Sequence, residues 1–133
     1  MKTYKILILE DDLETVSKLM AALHRVEETE RSRDFDVTVL STYESVEKLI
    51  NPQDKGAYDV ILLDRDCKMA GSFHILDIEK FGVDTIISIS STPAWNEAAR
   101  ARGVQRIVPK VFSDLDTFAK NVMEEIKGVL ETK

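Results

Sequence analysis

One cysteine, Cys67, is present in the 133 residues, which excludes an internal disulfide and a multi-thiolate zinc site. Two distant histidines, His24 and His74, supply little else for a soft metal, so any bound metal should be hard. Long apolar runs are missing as well. The longest wholly aliphatic stretches, Ile6-Leu7-Ile8-Leu9 and Val60-Ile61-Leu62-Leu63, fall far short of the ~20 residues that span a bilayer. A basic surplus is also absent: 18 Lys and Arg against 24 Asp and Glu leave a net charge of -6, which argues against direct binding of DNA or RNA. Glu10-Asp11-Asp12 interrupts the first apolar stretch where a signal peptide would continue, so a cytoplasmic protein is expected. No repeat, low-complexity tract or linker divides the chain, and its length predicts one domain, residues 1–133.

What remains is rich in Leu, Ile, Val and Phe, with 44% hydrophobic residues, and this excludes disorder. Five short apolar runs, Tyr4–Leu9, Asp36–Leu40, Asp59–Leu63, Thr85–Ile89 and Arg106–Val108, alternate with amphipathic stretches, the pattern of an α/β domain. The first, third and fourth runs are nearly continuously apolar, as in central strands covered on both faces, whereas Asp36–Leu40 alternates like a strand nearer an edge. Leu13, Val16, Met20 and Leu23, with Leu19 beside them, predict a first helix to about Val26, and the polar segment Glu27–Asp34 is left open between helix and loop. Val46, Leu49 and Ile50 predict a short second helix capped by Ser41 or Thr42 and closed at Asn51-Pro52. Phe73, Leu76, Lys80 and Phe81 predict a third, ending at Gly82; a fourth runs from Pro93 or Ala94 to Arg102, with Gly103 as its stop. The broad apolar face from Leu115 to Leu130 predicts a fifth, capped by Ser113 or Asp114. Five βα units fit a doubly wound, five-stranded parallel sheet of order 2-1-3-4-5, whose ligands lie beyond the carboxyl ends of the strands.

The residues just after the strands therefore matter most. Glu10, Asp11 and Asp12 follow the first, Asp64 and Asp66 the third, Ser90 and Ser91 the fourth, and Lys110 the fifth. The expected order sets the first and third strands side by side, so carboxylates of Glu10 or Asp11 lie near Asp64. Like charges that close resist joint ionisation unless a cation sits among them. Carboxylates, a carbonyl and waters form the usual Mg2+ arrangement. Asp64 could then attack a phosphoryl group, with Lys110 neutralising its oxygens and Ser90 hydrogen-bonding another, to give an aspartyl phosphate.

These residues resemble the receiver domain of two-component response regulators over essentially the whole chain. Ile6-Leu7-Ile8-Leu9-Glu10-Asp11 resembles the opening strand with its acidic pair, and Tyr58-Asp59-Val60-Ile61-Leu62-Leu63-Asp64 the third strand with its phosphoacceptor. Ile86-Ile87-Ser88-Ile89-Ser90 resembles the fourth strand ending in Thr or Ser, and Gly103 with Lys110 the last strand with its lysine. The resemblance implies a flavodoxin-like receiver fold and a signalling module rather than an enzyme. It implies Asp11 and Asp64 as direct Mg2+ ligands, Glu10 acting through water, Asp66 giving its backbone carbonyl, and Asp12 outside the pair. It further implies a histidine kinase or phosphotransfer protein as donor and a protein as recipient of the signal.

The chain departs from the family at three places. Val111 follows Lys110 where proline is usual, and Pro109 precedes it; Ile107 stands at the usual switch aromatic; and Lys68 stands at a usual proline. A cis bond before Val111 would cost about 2.5–4 kcal/mol, so a trans bond is expected. Ser88 is a rival for Ser90, which is preferred because Ile89 still belongs to the buried strand. Cys67 is read as a small half-buried residue, the two histidines as surface or boundary residues, and Trp95 as either a helix-capping hydrophobe or a partner contact. Two other functions compete: a receiver-like interaction module independent of phosphorylation, and a haloacid-dehalogenase-type phosphatase suggested by Asp64-Arg65-Asp66. The phosphatase family places its second acidic pair after the lysine, whereas here the pair precedes Asp64. With little chain beyond the last helix, no DNA-binding or enzymatic output domain is expected.

Overall fold

The computed structural model describes residues 2–133. Strands β1 (Lys2–Leu9), β2 (Arg33–Leu40), β3 (Val60–Leu63), β4 (Ile86–Ser88) and β5 (Arg106–Ile107) form one sheet of order β2-β1-β3-β4-β5, all pairs parallel. The apolar runs occupy the middle because a strand buried on both faces cannot carry polar side chains on either. β2 is at an edge, as its alternation predicts. Ile6 to Leu9 lie beside Val60 to Leu63, which brings Glu10 and Asp64 to the same level at the sheet's carboxyl end.

Alternate side chains of each strand point to opposite faces, so the sheet separates two cores. Tyr4, Ile6 and Ile8 face α1 (Leu13–Thr29) and α5 (Leu115–Leu130), together with Leu19, Phe118, Val122 and Ile126. Leu7 and Leu9 face the other side, packing with Val46, Phe73, Leu76, Phe81 and Ala99. That side carries α2 (Tyr43–Ser45), which continues as a π-helical stretch over Val46–Ile50, then α3 (Ile78–Phe81) and α4 (Pro93–Ala101).

Several expectations are corrected here. The first helix runs on to Thr29, so the open segment is partly helical and then leads into β2 at Arg33. Its buried face is Thr15, Leu19, Ala22 and Leu23, while Leu13 is 72% and Met20 39% exposed. The face is rotated because the Asp12 carboxylate caps the helix and accepts from both the N–H and the hydroxyl of Thr15, holding that side inward. Leu49, expected inside, is 60% exposed, since the wider π turn of Val46–Ile50 carries it off the apolar stripe.

The third helix is broken. A 3-10 turn at Phe73–Ile75 gives way to extended backbone at Leu76, and α3 spans only Ile78–Phe81. Phe73, Leu76, Ile78 and Phe81 are nonetheless buried, while Ile75 is exposed. The carbonyls freed by the break are satisfied from outside: the Arg102 guanidinium donates to His74 O at 2.7 Å and Leu76 O at 3.2 Å, and pairs with Glu79. Asp77 N–H donates to Asn51 Oδ1 at 2.9 Å, and the Lys80 ammonium reaches the Asn51 carbonyl. Ahead of the break, Met69, Ala70 and Gly71 all have positive φ, and a Cβ on Gly71 would run into the Tyr43 ring.

α4 begins with Pro93 at its first turn and stops before Gly103, whose φ of 102° suits glycine. α5 is capped by the Asp114 carboxylate, which accepts from Thr117 N–H. No peptide bond among the described residues is cis, so the Lys110–Val111 bond is trans as expected. None of the described helices is long and apolar enough to cross a membrane.

Candidate functional site

Backbone hydrogen bonds continue past the strand ends and lock the loops that carry the candidate residues. Glu10 N–H donates to Leu40 O, Asp64 N–H to Leu9 O, Ile89 N–H to Leu63 O and Lys110 N–H to Ser90 O, at 3.0–3.3 Å. Each candidate thus leaves the sheet in a fixed register, and side-chain convergence follows from strand order.

Carboxylate oxygens of Glu10, Asp11 and Asp64 lie within 4.8 Å of one another. Against them sits the Lys110 ammonium, 2.5 Å from Glu10 Oε1 and 3.0 Å from Asp64 Oδ2. Glu10, Asp64 and Lys110 are all buried, at 1%, 5% and 6% exposure, so these charges interact with little screening by water. The second oxygen of Asp64 accepts from the Arg65 N–H at 2.8 Å, which fixes the plane of the carboxylate. Glu10 Oε2 accepts from Asp12 N–H at 3.1 Å.

One lysine serves a cluster of three carboxylates, and the imbalance appears at Glu10 and Lys110. Burial, reinforced by the charge of Asp64, pushes the Glu10 carboxyl up to about 8. For Lys110, burial acts to lower the pKa, but Glu10 and then Asp64 outweigh it and the ammonium is held above its ordinary value. Asp12 differs: hydrogen bonds from Thr15 hold its carboxyl below the usual range, in keeping with a helix cap. Another cation would relieve the crowding. The donors are all oxygen, and Glu10 Oε1, buried and paired with the ammonium, receives no hydrogen bond of normal geometry among the described residues. That set fits a hard divalent ion.

The other candidates divide. The Asp66 carboxylate points away, paired with Arg65 at 3.0 Å and more than half exposed, so only its backbone carbonyl is a candidate for the site. Ser90 is buried two residues beyond β4, and its hydroxyl accepts from Thr92 N–H at 3.2 Å. Ser88 is the last residue of β4, fully buried, and its hydroxyl donates to Asn96 Oδ1 at 2.7 Å; Ile89, expected in the strand, lies just beyond it but is fully buried. Cys67 is a half-buried free thiol whose Sγ lies 3.2 Å from Ala70 O. His24 is exposed, and His74 is half-buried beside the broken third helix.

Sequence reasoning missed two features. Asn96 is buried at 4% exposure and bonds to both Ser88 and Ser90, and the Arg65 guanidinium stacks over the Trp95 ring at 4.1 Å from its centre. The available signal was weak: an asparagine in the first turn of a helix, with no capping duty, following a strand that ends at Ser88 and a loop that carries Ser90.

No family model and no curated protein matches the sequence. Solved structures do match it. The phosphorylated cyanobacterial phytochrome response regulator RcpA superposes with a TM-score of 0.75, covering 99% of this chain and 97% of its own at 15% identity. The chain has the fold of a response regulator receiver domain. The receiver fold is also seen in the Mn2+-bound form of response regulator Rcp1, with a TM-score of 0.68, 15% identity and coverage of 91% and 92%. A response regulator receiver domain from Rhodospirillum rubrum gives 0.64, at 14% identity and coverage of 95% and 94%. At such identities the likeness is one of fold, and in this receiver fold the acidic cluster and Lys110 occupy the carboxyl end of the sheet, where ligands of doubly wound folds bind.

Proposed function

We propose that residues 1–133 act as a single receiver domain in the cytoplasm, accepting a phosphoryl group on Asp64 in a Mg2+-dependent reaction and signalling to a protein partner by conformational change. The observation that carries this reading is the buried meeting of Glu10 and Asp64 with Lys110, with the half-buried Asp11 carboxylate beside them. The donor is a phosphohistidine, on a histidine kinase or a phosphotransfer protein. Leu13, Val111 and Phe112, within two residues of Asp11 or Lys110 in sequence, are exposed apolar side chains that suit a protein donor better than a small molecule.

In the reaction, a carboxylate oxygen of Asp64 attacks phosphorus; the P–N bond breaks and its electron pair leaves on the imidazole nitrogen. Asp64 is oriented for this by the Arg65 N–H and by its ion pair with Lys110. Lys110 then moves from the carboxylate to a phosphoryl oxygen, and the Ser90 hydroxyl donates to another. Asp11 and Asp64 would hold Mg2+ directly, with Glu10 through water and the Asp66 carbonyl completing the protein's share. Bound Mg2+ supplies charge neutralisation for the carboxylates and the phosphoryl oxygens.

Incubation with Mg2+ and a small acyl phosphate should add one phosphate by intact mass, and Asp64→Asn should abolish the addition. Labelling at His24 or His74 instead would overturn the assignment. Asp11→Asn should weaken Mg2+ binding more than Asp12→Asn, because Asp12 is committed to capping α1; equal losses would show that the acidic run is misread. A second reading, an interaction module independent of phosphorylation, draws on Ile107, Val111 and Lys68. It gains if the folded chain takes up no phosphate.

A further inference from the structure

The usual switch aromatic is replaced by Ile107, which leaves open how an event at Asp64 reaches a helix surface. The polar groups at the end of β4 supply a connection. Asn96, on the first turn of α4, accepts at Oδ1 from the Ser88 hydroxyl at 2.7 Å and from the Ser90 N–H at 3.1 Å, and donates from Nδ2 to the Ser90 carbonyl at 3.0 Å. Ser88, Ser90 and Asn96 are all buried, so water cannot replace these bonds. The same Ser90 carbonyl accepts from the Lys110 N–H at 3.1 Å. One peptide unit is therefore gripped from two sides, by a residue that pairs with Asp64 and by α4.

We propose that Asn96 is a positioning residue that couples Ser90 to α4, so that α4 moves with Ser90 when the Ser90 hydroxyl turns to a phosphoryl group on Asp64. This rests on the phosphoacceptor reading above and names the element that carries its signal. A buried carboxamide bonded at both of its polar atoms follows its partner, because separating would leave donors and acceptors unpaired away from water. The neighbouring residue adds a second tie: Trp95 lies under the guanidinium of Arg65, whose backbone N–H donates to Asp64. Two consecutive residues of α4 thus touch the loops after β3 and β4. Selection between two positions of α4 requires bonds available in only one of them, and the Ser90 hydroxyl to phosphoryl bond is such a bond.

The test uses Trp95, the single tryptophan, as a reporter beside the coupling residue. Indole fluorescence and amide exchange over residues 92–101 are recorded with Mg2+ and a beryllofluoride phosphoryl mimic, each response normalised to the fraction of chains that bind it. Asn96→Ala should reduce the normalised response by about fivefold or more, whereas Ser88→Ala, which removes one bond without freeing the Ser90 peptide, should keep most of it. Should Asn96→Ala fail to fold, Asn96→Asp retains the acceptor and loses the bond donated to the Ser90 carbonyl, and a reduced response is expected there too. Equal normalised responses in the wild-type chain and a folded Asn96 variant would overturn the coupling while leaving Asp64 as acceptor. If the wild-type chain binds no mimic and takes no phosphate, the phosphoacceptor reading falls and takes this inference with it.

Discussion

Helices α1 and α5 run for 17 and 16 residues over one face of the sheet, whereas the opposite face is covered by α2, α3 and α4, of 3, 4 and 9 residues. The first face is held by apolar area: Leu19, Leu23, Phe118, Val122 and Ile126 meet alternate residues of the strands in one continuous cluster. The second has its own apolar cluster but relies on side chains that reach across to backbone carbonyls, from Arg102, Lys80 and Asn51. Burial is non-directional and cooperative, so the regular face should open only with the whole domain. Bonds between a side chain and a carbonyl can be lost singly. The irregular face is therefore where the backbone can rearrange locally, and it is the face that holds α4.

The largest expected effect tests the regular face. Phe118→Ala deletes a ring that is 2% exposed and should lower stability by about 4 kcal/mol, through lost burial and a residual cavity. Denaturant unfolding should show the loss, and amide exchange should accelerate throughout the chain. Acceleration confined to α5 would break the claim that this face opens only globally.

An intermediate effect is expected on the other side. Arg102→Ala strips the charged donors from the His74 and Leu76 carbonyls and should cost about 2 kcal/mol. Its signature is local: exchange should speed up over residues 73–81 while α1 keeps its protection. If α1 loosens equally, the two faces are one cooperative unit and the contrast fails.

The smallest effect is a pH dependence centred on His74. Burial, with help from the charges of Arg102 and Arg65 and against those of Asp64 and Asp66, lowers its pKa below the ordinary value of 6.5. The unfolded chain then binds a proton more readily than the folded one. Stability from this group is present above 6.5 and declines as pH falls from there toward the folded pKa. Urea midpoints measured at about pH 7.5 and about pH 5.5 should differ less in His74→Gln than in the wild-type chain. An unchanged difference would remove His74 from the irregular face's sensitivities.

How much was legible in the sequence followed the same division. Period-two and continuous apolar runs located all five strands, and the long stripe of α5 was legible with a cap at Ser113 or Asp114, of which the structure uses Asp114. The third helix was misread because Phe73, Leu76 and Lys80, with Phe81 beside it, keep helical spacing while their backbone takes another path. Periodicity reports which residues are buried, and the external bonds from Arg102 that permit the break come from a residue remote in the chain. On α1 the stripe was found but its orientation was misjudged, since Leu13 is as apolar as Leu19 and only the Asp12 cap turns one outward. At the site, Glu10, Asp11, Asp64 and Lys110 could be nominated by position after a strand.

The sequence by itself determined the order of elements, the central place of the apolar strands and the acidic and basic residues at their ends, because these depend on local pattern and the chirality of crossovers. Only the tertiary structure decided that Lys110 sits between Glu10 and Asp64, that Asp66 turns its carboxylate away, and that Asn96 closes on the Ser90 peptide. Those outcomes are set by distances of a few ångströms between residues far apart in the chain. Packing and the need to pair every buried polar group fix such distances, and neither is written in the local spacing of residues.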